Sequence, residues 1–333
     1  MRLKQLFTRR FILLAIIAVA LLTVLLALMD WGKAWQLGQK ADWKLALFAF
    51  LLIVLSYCCL SGAFVSICRT MGIRRHWPDV FKIGVLSVTL DNILAFGGLA
   101  GHSLRVLLMQ REGTPAGKVM AASLLHSYFN AIALAAIFPI GLVYVILTYN
   151  LPAYDEAILI VSTSAFLIGL AIAALLLFKS ALRRWILDKI DRLWRFVFKR
   201  NITSFLAAFD MAMAEGLDAM RGRPIVLFLP LALIAVEWVM VVAGLWFCFN
   251  ALGTSLSLGS LLTGFSVGIS AGNVAMIPAG LGVQEASMSG VYAIFGTPFE
   301  QAVLVALLFR ILYDIIPFVA SLPFYRKLLQ KLD

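Results

Sequence analysis

Long apolar runs dominate the hydrophobic pattern of this chain. A helix needs about 20 apolar residues to cross a hydrocarbon core of about 30 Å. Runs that reach this length lie at residues 11–29, 45–67, 119–148, 157–178, 225–249 and 301–324. The pattern predicts an all-α polytopic integral membrane protein with six transmembrane helices. The first run follows a basic start, but it exceeds a signal-peptide core and lacks a closing A-x-A pattern, so we expect a retained helix.

The composition excludes a soluble globule. Apolar residues make up 62% of the 333 positions and charged residues only 14%, against roughly 45–50% and 25% in soluble domains. The four cysteines lie in or beside apolar runs without the spacing of a disulfide framework or a zinc site, which indicates packing residues. Nucleotide-binding, nucleophile and metalloprotease motifs are absent from the sequence. We therefore predict no cofactor, no metal and no enzymatic activity.

Two further apolar stretches, 83–99 and 257–281, are interrupted by Gly and Pro and decide the topology. If both dip into the membrane and return, the positive-inside rule places nearly all of the 28 Lys and Arg residues in the cytoplasm. Only Lys33, Lys40 and Lys44 then lie outside. If the first stretch crossed, the strongly basic segment 179–224 would be translocated. We predict two re-entrant helical hairpins and cytoplasmic termini.

Residues 91–130 and 272–314 resemble each other. Each has an Asn, an apolar run, a Gly-rich break, a short helix, a Gly-Thr-Pro turn and a spanning helix. Three crossings separate the copies, so the second is expected upside down, an inverted-topology repeat of the kind found in secondary transporters. The boundaries predicted are a first membrane repeat at 1–150 (hairpin about 83–118), the first span of the second repeat at 151–178, a basic cytoplasmic amphipathic segment at 179–224, and the remainder of the second repeat at 225–333 (hairpin about 257–298).

The two breaks predict a polar cavity between the halves, because irregular backbone at membrane depth is tolerated where it lines a cavity or is buried by protein. An imidazole near the first break could titrate near neutral pH. The candidate substrate-binding residues are Asp91, Gly101, His102, Arg105, Glu237, Asn273, Gly280, Gly282, Glu285, Arg310 and Asp314.

Charged groups inside spans cost about 2.5–3.5 kcal/mol on insertion scales, so they are usually paired or functional. Arg310 and Asp314 are one helical turn apart and could form a structural ion pair or contact substrate. Glu237 has no partner on its own helix and must reach Arg310, the cavity or a proton. Arg105 and Glu285 follow the Gly breaks, near expected helix starts that suit a phosphate, although both could instead cap and orient their hairpins.

Two other patterns concern the membrane and helix packing. Residues 181–198 carry apolar side chains at three- and four-residue spacing with Arg and Lys between them. They predict an interfacial helix on the anionic cytoplasmic leaflet, where anchoring and recruitment of lipid headgroups would use the same residues. We expect membrane lipids as partners and no nucleic acid, while the oligomeric state stays open. Gly264, Gly268 and Gly272 predict a close helix-packing face.

Residues 277–322 resemble the transmembrane region of lysylphosphatidylglycerol synthases and their stand-alone flippase-like relatives. In that family a Pro-Gly-Gly-Leu-Gly-x-x-Glu-Ala break precedes a Gly-x-Pro turn and a helix bearing an Arg. The matching residues are Pro278, Gly280, Leu281, Gly282, Glu285, Ala286, Gly296, Pro298 and Arg310. Ala279 stands where a Gly is usual. In the first half Gly101 and Arg105 match a Gly-Glu-x-x-Arg segment, with His102 in place of the Glu.

The resemblance implies a lipid translocase that moves a phospholipid, aminoacylated phospholipid or polyprenyl-type lipid between leaflets. Full-length synthases append a soluble aminoacyl-transferase domain, whereas this sequence ends nine residues after its last apolar run, so we expect the lipid-translocating part alone. One alternative is a membrane-embedded transferase acting on a lipid-linked substrate with Asp91, Glu237 or Glu285 as base. Another is a small-solute or ion secondary transporter, whose cavity would be closed laterally.

Overall fold

A computed structural model of the chain describes residues 29–94, 99–148, 153–198, 202–222, 224–275 and 277–330, with isolated positions between 20 and 27. The described part is helical and contains no strand. The first predicted span, 11–29, lies almost wholly outside it. The helices are α1 (Trp31–Lys40), α2 (Trp43–Thr70), α3 (Trp77–Leu94), α4 (Leu99–Arg111), α5 (Ala116–Thr148), α6 (Ala153–Phe178), α7 (Ser180–Phe198), α8 (Thr203–Gly222), α9 (Phe228–Ala251), α10 (Leu258–Ala275), α11 (Val283–Ile294), α12 (Phe299–Arg310) and α13 (Ile316–Gln330). Short 3₁₀ turns at Pro224–Leu227 and Pro278–Gly280 and a π turn at Ile311–Ile315 connect some of them.

Four helical segments of the described chain are long and apolar enough to cross a membrane. They are α2, α5, the segment Ile225–Ala251 that contains α9, and the segment Phe299–Arg326 formed by α12, the π turn and α13. The segments Thr163–Leu176 and Ser180–Arg195 are bent by 92° and give a fifth candidate if they form one broken span. The chain is therefore a helical membrane protein with several apolar spans, and the count of six stays a prediction.

The two Gly-Thr-Pro turns have the same local structure. Gly113 and Gly296 adopt φ values of +89° and +87°, which a residue with a Cβ adopts only with strain. The N–H of the following Thr bonds the carbonyl five residues earlier, at 3.0 Å in both turns, which closes the preceding helix. The Pro residues then precede α5 and α12. The turn chemistry inferred from the sequence is confirmed in both halves.

An antiparallel pair, α2 and α9, forms the centre of the molecule. The N–H of Asp42, at the start of α2, bonds the carbonyl of Ala251, at the end of α9, over 2.8 Å. Gly244 of α9 lets Ile53 of α2 approach, because a Cβ added there would lie 3.3 Å from the Ile53 side chain. Since α3 follows the end of α2 and α10 follows the end of α9, the hairpins α3–α4 and α10–α11 start at opposite ends of this pair.

Each hairpin returns close to the place where it started. Arg75, before α3, pairs with Glu112 over 3.3 Å and donates to Thr114 over 3.3 Å, and both residues lie just beyond the end of α4. Gln301, beyond α11, donates to the carbonyl of Leu252, which directly follows α9 in the connection to α10. The helical arms match as well, with 18 and 13 residues in the first hairpin and 18 and 12 in the second.

The halves are also packed across each other. Helix α10 packs against α5, and α3 packs against α13 and touches the Pro278–Gly280 turn. Each hairpin therefore rests on the long helix that follows the other hairpin.

Helix α7 has the amphipathic character predicted for residues 181–198. Trp185 and Leu193 are 57% and 63% exposed. Arg183 and Asp191 are buried on the opposite side, where Arg183 bonds Asp210 of α8 over 2.6 Å and Asp191 accepts from Thr203 over 3.0 Å. The helix therefore docks on α8 by the side that carries Arg183 and Asp191 and leaves Trp185 and Leu193 uncovered.

The glycine ladder of α10 is a packing face, as predicted. A Cβ at Gly264 would lie 2.2 Å from the Tyr292 ring, and one at Gly268 would lie 2.0 Å from Met288 Cγ. Gly272 is less crowded, with Gln284 at 3.3 Å. Only residues without a side chain allow α11 to lie this close.

We predict that Gly264→Ala destabilises the folded protein, because the added methyl overlaps a buried ring that has no room to move. Overpacking of this kind costs about 1–3 kcal/mol, which thermal unfolding of the purified protein in detergent will register as a lower midpoint. Gly290→Ala in α11 is the matched control, since nothing lies within 4 Å of a Cβ there. Equal midpoints for the two variants would contradict the packing described here.

Candidate functional site

A cavity of about 460 Å³, called here the chamber, lies where the two hairpins meet. This volume is within the range of ligand-binding pockets, about 300–1,000 Å³. Residues of both halves line it, from α2 to α5, from α9 to α12, and from the two irregular turns. Its ionisable lining residues are Asp91, His102, Arg105, His126, Glu237, Tyr313 and Asp314. The structure thus brings together five of the sequence-predicted site residues with side chains that can carry charge: Asp91, His102, Arg105, Glu237 and Asp314.

Asp91 and Gly101 hold the first hairpin together. The Gly101 N–H donates to Asp91 Oδ1 over 2.6 Å, and a Cβ on Gly101 would lie 2.1 Å from Asp91 Oδ2. Gly101 was predicted as part of the Gly-rich break, but it lies inside α4 because that helix already starts at Leu99. It allows α4 to approach the Asp91 carboxylate. The other break glycines, Gly97 and Gly98, lie outside the described residues.

Arg105 is buried and faces the chamber. It is 2% exposed, its Nε donates to Ser87 Oγ over 2.6 Å, and its guanidinium lies 4.0 Å from the centroid of the Phe64 ring. Its Nη1 has no hydrogen-bond partner in the described part of the chain. The expectation that Arg105 sits near a helix start is wrong, because α4 begins early enough to place it in the middle of the helix. Its donor capacity comes from the guanidinium itself rather than from a helix terminus.

Arg310 is the centre of a buried ion cluster. Its guanidinium pairs with Glu285 and with Asp314, the latter over 3.2 Å. It also donates to the carbonyl of Ala279 over 2.6 Å and to Gln284 Oε1 over 3.1 Å. The ion pair predicted from the one-turn spacing to Asp314 is therefore formed. Asp314 lines the chamber, whereas Arg310 lies behind it, among the groups of the second break.

Glu285 caps the start of α11. Its Oε2 accepts the Gly282 N–H over 2.8 Å in a capping box. The alternative that this carboxylate caps its own helix is thus realised in the structure. Neither Glu285 nor Gly282 lines the chamber, while Gly280 does and lies against Gly272. The side chain of Asn273 lies outside the described residues.

Glu237 is a buried carboxylate on the chamber wall. It is 2% exposed, and its Oε2 has no hydrogen-bond partner among the residues that the structure describes. Within the same residues it forms no ion pair, and both carboxylate partners of Arg310 are other residues. A carboxylate at this depth needs a proton, a cation or a polar ligand. Of the three predicted options for Glu237, contact with the chamber is formed and pairing with Arg310 is not, while protonation stays a prediction.

The two chamber histidines differ in their partners. His102 Nε2 lies 2.9 Å from Ser127 Oγ, and its Nδ1 is buried without a hydrogen-bond partner in the described chain. His126 Nε2–H donates to the carbonyl of Leu60 over 3.1 Å. His126 is therefore held by the fold, and His102 keeps a ring nitrogen for a ligand.

Several amide and aromatic residues of the chamber were missed by the sequence analysis. Trp238 Nε1–H donates to Asn130 Oδ1 over 2.9 Å. Asn92 donates to the Tyr57 hydroxyl over 2.8 Å, and that hydroxyl donates to the Tyr313 carbonyl over 2.8 Å. An Asn inside a long apolar run indicates an internal polar partner, as an ionisable residue does.

Fold and chamber together define a polytopic helical membrane protein with a polar internal site between two hairpin-bearing halves. The model of the family described as "Lysylphosphatidylglycerol synthase TM region" matches residues 12–321, and the chain belongs to this family. Similar relatives are the proteins named phosphatidylglycerol lysyltransferase of Staphylococcus aureus strains MSSA476 and MW2. Each is 27% identical over 299 residues, which cover 85% of this chain and 33% of the relative. The chain thus spans about a third of the length of these relatives.

The second break explains why the residue usual at position 279 is a Gly. Ala279 has φ of +56°, and within the described chain it is the one residue other than glycine with positive φ. The left-handed conformation brings a Cβ too close to the following carbonyl. Its carbonyl is nevertheless held by Arg310, so the backbone keeps this shape with Ala in place.

We predict that Ala279→Gly stabilises the protein by about 0.5–1 kcal/mol, because glycine removes the strain and loses part of the gain through its freer unfolded chain. The same substitution at Ala286, an exposed interior position of α11, should instead destabilise by about 1 kcal/mol. Thermal unfolding in detergent should show shifts of opposite sign. A lower midpoint for Ala279→Gly would contradict the strain.

Proposed function

We propose that this chain is a lipid translocase of the bacterial inner membrane. It moves a phospholipid, an aminoacylated phospholipid or a polyprenyl-type lipid between leaflets without changing it chemically. The observation that carries the proposal is the chamber: a polar, charged space of about 460 Å³ inside a helical membrane protein, lined by both halves. Such a space is suited to a lipid headgroup, because burying polar groups in a membrane interior is unfavourable unless they are given partners.

The proposed topology has six crossings, with α3–α4 and α10–α11 as re-entrant hairpins and both termini in the cytoplasm. Three observations support it. The hairpins start at opposite ends of the α2–α9 pair, each returns to its starting end, and their inner ends meet at the chamber. This is the arrangement of inverted repeats in secondary transporters, where substrate binds at broken helices near the midplane.

The topology predicts the side on which single cysteines react. In a background without the four native cysteines, His76→Cys and Glu112→Cys flank the first hairpin and should both react from the cytoplasmic side. Ser255→Cys and Pro298→Cys flank the second and should both react from the outside. A membrane-impermeant thiol reagent applied to right-side-out and inside-out vesicles makes the measurement. If the two members of either pair react from opposite sides, that hairpin crosses the membrane and the proposed repeat is wrong.

In the proposed mechanism the headgroup enters the chamber while the acyl chains stay in the bilayer. Arg105 offers its unpartnered N–H to a phosphate oxygen. Asp91, Glu237 and Asp314 also line the chamber, and their carboxylates accept hydrogen bonds from hydroxyl or amine groups of the headgroup. Rocking of the halves about the chamber would then open it to one leaflet at a time. The sequence has no nucleotide motif, so we assign the driving force to an ion or lipid gradient.

Helix α7 would support this arrangement from the cytoplasmic surface. We propose that its uncovered apolar residues, Trp185 and Leu193 among them, lie in the headgroup region of the anionic leaflet. Arg183 of this helix pairs with Asp210 of α8, so the helix is attached to the rest of the protein by an ion pair.

Translocation can be measured with the purified chain in vesicles that carry fluorescent phospholipids. We expect the wild type to move lipid faster than protein-free vesicles. Arg105→Gln should slow it by about 10- to 100-fold, because a charged donor to phosphate contributes about 1.5–3 kcal/mol. Arg75→Gln is the matched control, since Arg75 pairs with Glu112 away from the chamber.

Thermal unfolding of both variants checks that each is folded. If the folded wild type moves no anionic, aminoacylated or polyprenyl lipid under any gradient, translocation is wrong. If the two arginine variants are equally active, Arg105 is not the phosphate contact.

A transferase is the second candidate, because the relatives are named lysyltransferases. Their activity belongs to proteins about three times as long as the matched part. Among the bases predicted for this alternative, Glu285 is committed to Gly282 and Arg310, which leaves Asp91 and Glu237. Mass spectrometry of the vesicle lipids after incubation separates the two functions, since a translocase leaves every lipid mass unchanged.

A further inference from the structure

A second cavity of about 310 Å³, called here the groove, lies between α2, α3 and α13. Its walls are almost entirely apolar, with Phe50, Val54, Phe81, Val85, Ala320 and Phe324 among them. Lys82 is the one charged residue among the described residues of this lining. A narrow apolar space with a single cation at its rim matches the shape and charge of a phospholipid, which has apolar chains and an anionic phosphate.

The groove and the chamber share a thin wall. The Tyr57 side chain lines the groove, while the two residues bonded to its hydroxyl, Asn92 and Tyr313, line the chamber. Ser321 and Leu86 of the groove bond Thr89 and Tyr325, which joins α3 to α13. The Tyr57 hydroxyl thus connects a groove-lining residue directly to two residues that line the chamber.

Lys82 is available for an anion. Its side chain is 64% exposed, and its contact with Asp79 spans 3.8 Å. An exposed pair of this kind contributes little, so a phosphate can replace it. Trp77, five residues before Lys82 and 53% exposed, packs edge-on against Phe81. Such aromatic residues are enriched at the membrane interface, which is where phospholipid phosphates lie.

We propose that the groove is a loading site for a phosphate-bearing diacyl lipid of the cytoplasmic leaflet. One acyl chain lies against Phe81, Val85 and Ala320, and the phosphate rests at Lys82. The lipid stays bound there until the Tyr57 side chain moves and the headgroup can pass into the chamber. The site rests on the proposed function for its role, but its occupancy can be measured without transport.

Photocrosslinking tests the occupancy. The full chain is placed in nanodiscs with a trace of phosphatidylglycerol that carries a diazirine on one acyl chain, or with diacylglycerol that carries the same chain. Labelled peptides are mapped by mass spectrometry. We expect phosphatidylglycerol to label α3 and α13 groove peptides about fivefold more than diacylglycerol, because one Lys near a membrane surface contributes about 1 kcal/mol to phosphate binding.

Lys82→Gln should remove this preference, and Lys179→Gln, at another exposed lysine on the cytoplasmic side, should keep it. Equal labelling by the two lipids, or labelling spread evenly around α13, would mean that the groove contacts bilayer lipid without selecting a phosphate, and would overturn the proposal. Absence of lipid labelling at the groove peptides would overturn it as well, the result expected if a second copy of the chain covers the groove.

The role in loading is tested by filling the groove. Ala320→Trp places a bulky ring in it, whereas Val319→Trp puts the same ring on the neighbouring exposed position outside it. We expect Ala320→Trp to slow lipid translocation in vesicles by about tenfold relative to Val319→Trp, because each lipid must displace the Trp ring to enter the groove. If both variants are equally fast, the groove is not the loading route and translocation stands. If the wild type itself is inactive, the proposed function fails and the crosslinking alone decides whether the groove binds lipid.

Discussion

Backbone that leaves the helix inside a membrane protein must find hydrogen-bond partners without help from water, and the Arg310 cluster meets this requirement at the second break. The guanidinium holds the carbonyl of Ala279, and Glu285, one of its two carboxylate partners, holds the N–H of Gly282. The cluster therefore satisfies an acceptor and a donor of the broken segment, and two carboxylates neutralise the charge of the guanidinium. Removing the arginine would leave two buried carboxylates and an unpaired carbonyl, a change that typically costs several kcal/mol.

The first hairpin solves the same problem with other residues. There a single carboxylate, Asp91, accepts the N–H of Gly101 at the beginning of α4. The arginine of this half, Arg105, is held by a hydroxyl and an aromatic ring instead of by a carboxylate ligand set. One half thus neutralises its arginine within the fold and the other leaves a donor facing the chamber. The two halves have the same order of helices and turns, but their arginines have different partners.

The sequence was sufficient for the features that depend on local chemistry or length. Long apolar runs located the four spanning segments of the described chain, the Gly-Thr-Pro turns located both hairpin ends, and the glycine spacing of α10 identified a packing face, because each depends on a few neighbouring residues. The chamber residues depend on which helices lie face to face, which spacing does not reveal. Arg105 was expected near a helix start because the extent of α4 cannot be read from its sequence, and Asn92 and Asn130 were missed because their partners, Tyr57 and Trp238, lie on other helices.

The π turn at Ile311–Ile315 has a consequence for motion. It lies between α12, which carries Arg310, and α13, which forms a wall of the groove, and it contains Tyr313 and Asp314. Each residue advances an α-helix by about 100°. Moving this wide turn by one residue along the helix would therefore rotate the side chains of Tyr313 and Asp314 about the helix axis while the ends of the helix stay in place. A rotation of that kind would change the side chains that separate the groove from the chamber, without any sliding of helices along the membrane normal.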